Sequence, residues 1–123
     1  MPYRCLTRRL VLLGALTVML LPGLAAAHAI LEASEPADGA RVPAGPITIK
    51  LRYNSRIDRA RSGLTLTRPD HSKISLPISP DGPPDLATST VTLTPGNYVV
   101  RWQVLAIDGH ITRGDVAFTV TGP

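Results

Sequence analysis

Asn97-Tyr98-Val99-Val100-Arg101-Trp102-Gln103-Val104-Leu105 is the stretch that decides the fold class. Tyr98, Val100, Trp102 and Val104 recur at every second position, so in an extended chain they share one face and bury together. Trp102 sits on that face among apolar neighbours, which assigns it to the core and leaves it no chemistry. Working outward, Pro95-Gly96 turns the chain into this strand. A second alternation follows it, with Val116, Phe118 and Val120 on one face of Asp115 to Val120. Upstream, Ile47, Ile49, Leu51 and Tyr53 alternate in the same way, and Leu64 to Thr67 and Val91 to Thr94 are shorter segments of the same kind. Turn-forming stretches separate them: Pro36-Ala37-Asp38-Gly39, Pro43 to Pro46, Arg68-Pro69-Asp70 and a proline-rich connection from Pro77 to Pro84. Short strands with one apolar face each, and prolines spread too widely for long helices, predict an all-β fold. Its form is a small antiparallel β-sandwich or Greek-key barrel.

The first 27 residues read differently. Arg4, Arg8 and Arg9 precede an apolar run from Leu10 to Leu21; Pro22-Gly23 ends that run, and Ala25, Ala26 and Ala27 supply the small residues a signal peptidase inspects. Residues 1–27 are therefore expected to be a secretory signal peptide cleaved after Ala27, leaving 28–123 as a single exported domain. A cut after Ala29 is the other register and would discard His28. An uncleaved anchor would need about 20 apolar residues, more than this run offers. Three of the thirteen basic residues and none of the nine acidic ones leave with the signal, so ten stand against nine and the mature net charge is +1. Scattered charges of that kind make no patch for a phosphate backbone, which argues against nucleic acid. The one cysteine, Cys5, and both methionines, Met1 and Met19, also fall in the signal. The mature chain thus has no disulfide, no thiolate and no thioether, and no apolar stretch long enough for a membrane span.

What remains for metal chemistry is imidazole, amine and carboxylate, a donor set that suits Cu(II) and excludes the soft ligands of Cu(I). With cleavage after Ala27, His28 offers its α-amino group and its ring Nδ1 together, closing a chelate on one ion. The amine must lose its proton to bind, so acid is expected to release the metal. Asp108-Gly109-His110 adds a carboxylate and an imidazole two residues apart, which in extended chain point to one side, and Gly109 allows a bend there. Taken alone, each motif has an ordinary structural explanation: some residue must come first, and Asp-Gly is a common hairpin turn. His71, in Arg68-Pro69-Asp70-His71-Ser72, reads as an exposed hairpin tip outside any site. Glu32 and Asp115 are acidic groups able to orient ligand imidazoles, but nothing in the sequence places them there.

The order of these motifs carries a resemblance. His28-Ala29, Pro36-Ala37-Asp38-Gly39, Pro95-Gly96-Asn97-Tyr98-Val99-Val100-Arg101-Trp102, Asp108-Gly109-His110 to Gly114, and Phe118-Thr119-Val120 together resemble the CopC family of periplasmic copper-resistance proteins. The resemblance spans essentially the whole mature chain. It implies a cupredoxin-like Greek-key barrel, also immunoglobulin-like in outline, that binds Cu(II) through His28, Asp108 and His110. It also implies a CopD-type inner-membrane copper transporter as partner. The chain departs from the family in two respects: it lacks the methionine-rich segment with which some members hold Cu(I), and Ile111 stands where a proline often follows the Asp-Gly-His motif.

The expected function is therefore a periplasmic Cu(II)-binding protein that sequesters or delivers copper, and not an enzyme. Two other classes compete. A histidine-brace copper monooxygenase also begins with histidine on a β-sandwich, but uses no equatorial carboxylate such as Asp108. A metal-free immunoglobulin-like interaction module would make the histidines incidental.

Overall fold

The computed structural model describes residues 28–122, and the signal-peptide reading of residues 1–27 lies outside the described residues. Eight strands are described: β1 (Leu31–Glu35), β2 (Ala40–Pro43), β3 (Gly45–Tyr53), β4 (Ile57–Thr67), β5 (Lys73–Leu76), β6 (Leu86–Leu93), β7 (Gly96–Ala106) and β8 (Ile111–Thr121). They form a three-stranded sheet, β1-β3-β6, and a five-stranded sheet, β2-β8-β7-β4-β5. Among the described residues no helix is long and apolar enough to cross a membrane.

The alternation in β7 does what its spacing predicts: Tyr98, Val100, Trp102, Val104 and Ala106 are buried, facing Val116, Phe118 and Val120 of β8 on the same sheet. Ile47, Ile49, Leu51 and Tyr53 of β3 bury from the other sheet, so one core fills the space between the two layers. The Tyr53 and Trp102 rings meet edge to face across it, with centroids 5.4 Å apart. Trp102 also lies against Gly114 of β8, where any Cβ would run into the indole. This explains a glycine in the middle of a long strand. Tyr98 stacks on Phe118 and donates its hydroxyl hydrogen to the Thr94 carbonyl at 2.7 Å, fixing the entry to β7.

One feature differs from a purely antiparallel sandwich. β2 pairs with β8 in parallel, Ala40 opposite Phe118 through Pro43 opposite Thr121. The Pro36-Ala37-Asp38-Gly39 turn makes this possible, since Asp38 Oδ1 accepts the Ala117 N–H at 2.9 Å and swings the chain from the small sheet to the edge of the large one. The structure also extends several strands beyond their apolar signal. β4 begins at Ile57 because Ser62 bridges an irregularity in its pairing, donating to the Asp58 carbonyl and accepting the Leu105 N–H. β6 begins at Leu86 because its inward positions, Ala87 and Ser89, are small and give little hydrophobic contrast.

Candidate metal centre

The three residues singled out as ligands meet at one end of the five-stranded sheet. His110 and Asp108 belong to the β7–β8 connection. There Ala106 N–H donates to the His110 carbonyl at 2.8 Å and Gly109 N–H to the Ala106 carbonyl at 2.9 Å. Ile107-Asp108-Gly109 is thus a three-residue hairpin loop whose last residue, Gly109, takes the left-handed conformation at φ +91°. Asp108 and His110 come together for a different reason from the one the extended-chain spacing suggested. The turn folds the carboxylate back, so that Oδ1 accepts the His110 N–H at 3.0 Å while Oδ2 faces His110 Nδ1 at 3.0 Å.

His28 reaches the same point from the segment ahead of β1. Its ring stacks on that of His110, with centroids 4.2 Å apart and planes 20° from parallel, and its Nδ1 stands 3.6 Å from Asp108 Oδ2. One ligand atom from each of His28, Asp108 and His110 lies within 4.8 Å of the others. Donors about 2 Å from an ion lie roughly 3–4 Å from one another, so small rotations close this set on one cation. The His28 Nδ1 is buried and has no hydrogen-bond partner. A ring nitrogen held dry and without a partner beside a carboxylate fits a site that a cation completes.

Electrostatics keep Asp108 in the form a ligand needs. The His110 backbone N–H, the largest influence, outweighs the opposing effect of desolvation and, with smaller help from the imidazoles of His110 and His28, holds the carboxyl below the usual carboxylate range. The side chains of His28 and His110 remain 43% and 60% exposed, so an incoming ligand can reach the site from solvent. Three exposed large apolar residues, Ile30, Ile107 and Ile111, each lie within two positions of a candidate ligand.

The segment carrying His28 is tied down by residues the sequence did not single out. Thr112 Oγ1 donates to the Ala29 carbonyl at 2.7 Å, and Ile30 N–H donates to Asn54 Oδ1 at 2.8 Å. Asn54 N–H in turn donates to the Ile30 carbonyl at 3.0 Å, and the Ala29 side chain is fully buried. The other candidates lie elsewhere. His71 is exposed on the β4–β5 turn, at the end of the sheet where Thr67 pairs with Val99, away from the ligands. Asp115 pairs with Arg101 at 3.2 Å on the outer face, and Glu32 is exposed on β1.

A family model described as the CopC domain matches residues 31–121. Protein YobA of Escherichia coli K12 is 34% identical over 112 residues, covering 88% of this chain and 90% of that protein. Copper resistance protein C of Pseudomonas syringae pv. tomato is 32% identical over 111 residues, covering 83% and 87%. Among solved structures, CopC from Methylosinus trichosporium OB3b superposes with a TM-score of 0.71 at 28% identity, over 77% of this chain and 95% of that one. The Escherichia coli protein PcoC, described as a methionine-rich copper resistance protein, superposes with a TM-score of 0.66 at 28% identity, over 77% and 100%.

Proposed function

This chain belongs to the CopC family of copper-binding, copper-resistance proteins, and we propose that it is a periplasmic Cu(II) carrier whose site is built on a mature N-terminal His28. The observation that carries this reading is the convergence of His28, Asp108 and His110 donors within 4.8 Å. The buried, unpartnered Nδ1 of His28 supports it. Two imidazoles and a carboxylate, with the α-amino group that cleavage after Ala27 would expose, make the tetragonal N and O set that Cu(II) favours. Both methionines of the chain, Met1 and Met19, precede His28, so unlike a methionine-rich relative this domain has no thioether for Cu(I).

The protein binds and exchanges copper and does not turn it over. With copper bound, Asp108 would supply a carboxylate to the ligand set, which the histidine brace of a monooxygenase does not include. Half-exposed imidazoles would leave a bound ion accessible to an acceptor, for which a CopD-type inner-membrane transporter is the partner we propose. The test is the intact mass of the exported protein, under non-denaturing conditions, with and without one equivalent of Cu(II). A chain starting at His28 that takes up one copper, and a His28→Ala variant that binds at least about a hundredfold more weakly, are the expected results. A mature chain starting at Ile30, or copper uptake indifferent to His28→Ala, would overturn the proposal. Ascorbate-driven oxidation of a polysaccharide by the copper form would return the enzyme reading.

A further inference from the structure

We infer that Asn54 and Thr112 are positioning residues for the copper site, holding the His28 segment against the Asp108-Gly109-His110 loop. The inference rests on His28 acting as a ligand, and it concerns what makes that ligand available. A residue near a chain end is poorly ordered unless something ties it down, and each residue that must be ordered on metal binding reduces affinity. Here the ties already exist. Thr112 holds the Ala29 carbonyl, and Asn54 holds Ile30 at both N–H and C=O, so the two residues after His28 are fixed by three hydrogen bonds and one buried methyl group.

The positions of the two anchors make the case specific. Thr112 lies two residues after His110 on β8, opposite Val104 of β7, so the strand that presents one ligand also grips the segment that presents another. Asn54 opens the β3–β4 turn, and at the far side of that turn the Arg56 carbonyl accepts the Ile107 N–H at 3.2 Å. Ile107 directly precedes Asp108. The 54–56 turn therefore bonds the His28 segment on one side and the ligand loop on the other, and it sets the spacing between them. Neither anchor contributes an atom to the ligand cluster, and neither belongs to the apolar core.

The test compares Thr112→Val, which keeps the shape and removes the hydroxyl, with Thr112→Ser, which keeps the hydroxyl, and adds Asn54→Leu as an independent variant. Cu(II) affinity is measured by chelator competition on the mature protein, alongside the melting temperature of the metal-free form. Each measurement is repeated in a His28→Ala background. We expect Thr112→Val and Asn54→Leu to weaken Cu(II) binding roughly tenfold, Thr112→Ser to restore it, and both losses to be much smaller once the His28 imidazole is absent, the α-amino group being then the one donor left on the anchored segment. Wild-type affinity in both Thr112→Val and Asn54→Leu, with the parent binding copper through His28, overturns this inference and leaves the proposed function standing. An equal loss in the His28→Ala background overturns it as well, since the anchors would then act on the fold or on the other ligands. A parent protein that does not use His28 overturns both.

Discussion

The β4–β5 and β7–β8 connections are the same turn built twice, at opposite ends of one sheet. In the first, Arg68 N–H donates to the Ser72 carbonyl and His71 N–H to the Arg68 carbonyl, at 2.8 and 2.9 Å. In the second, Ala106 pairs with His110 and Gly109 with Ala106 at the same two distances. Each has an aspartate whose Oδ1 accepts the N–H two residues on, from Ser72 to Asp70 and from His110 to Asp108, both at 3.0 Å. Each places one residue in the left-handed region, His71 at φ +72° and Gly109 at φ +91°. The difference lies in which position the histidine holds. At the left-handed position His71 is exposed and makes no ion pair with Asp70, and Ser72 closes on Asp70 through its hydroxyl at 2.6 Å. One position later, His110 puts Nδ1 beside the carboxylate and supplies, with Asp108, two of the three donors of the proposed copper site. Nearness of Asp and His in sequence is therefore not the chemical signal; their places in the turn are.

The largest effect that can break this comparison comes from making the two turns alike. The double substitution His71→Gly, Ser72→His rebuilds Asp-Gly-His on the β4–β5 turn, where no arm delivers a further ligand. In a His28→Ala background its Cu(II) affinity, by chelator competition, is expected to stay at least about a hundredfold below that of the parent site. Restoration of parent affinity would show that the turn suffices and the arm is dispensable. A smaller effect sharpens the role of the left-handed residue. No atom lies within 4 Å of a Cβ built at Gly109, so Gly109→Ala meets only backbone strain, and it should cost about 1 kcal/mol in denaturant unfolding of the metal-free protein. It should also weaken copper binding, because the strained turn carries two of the proposed ligands. His71→Gly has the opposite sign, a gain of about 0.5 kcal/mol, since strain relief is partly offset by the greater freedom of the unfolded chain. It should leave copper binding unchanged.

The same contrast explains how much the sequence disclosed. The β3, β7 and β8 faces were legible because large side chains alternate there, and burial follows that alternation residue by residue. β1, β2 and β5 were not, being short strands whose pairing depends on distant partners, and the parallel joining of β2 to β8 has no local signature at all. His28, Asp108 and His110 could be named as candidate ligands from residue type and the motif order that carries the family resemblance, and their donors do come together. The hold on His28 could not, because its bonds join Ala29 to Thr112 and Ile30 to Asn54, across 83 and 24 positions, and are addressed to backbone atoms that every residue shares. His71 shows the limit from the other side. Its exposure was readable from the Pro-Asp turn, but its left-handed backbone was not, since glycine is the residue that usually announces that conformation.

The smallest effect separates the two carboxylates by acid. The Ser72 hydroxyl, then its backbone N–H, holds the Asp70 carboxyl below the usual carboxylate range, as the His110 N–H does for Asp108. A carboxyl depressed in the folded state binds fewer protons there than in the unfolded chain. The stability it contributes is therefore fully present above the ordinary carboxylate range and is lost as pH falls through the lowered folded value. Both groups are at the surface, so the contributions are modest and fall with salt. Asn at either position keeps an oxygen to accept the turn N–H but has no charge to lose. Metal-free Asp70→Asn and Asp108→Asn should each melt slightly below the parent near neutral pH and converge with it on acidification below the carboxylate range. With Cu(II) present at neutral pH the two should part. Asp108→Asn loses much of the copper-dependent rise in melting temperature, because that rise follows the affinity of the folded state for copper, while Asp70→Asn, at the other end of the sheet, keeps all of it. Equal losses in the two variants would mean that the turns differ less than their histidines suggest, and that copper reads charge at a distance rather than the geometry of one loop.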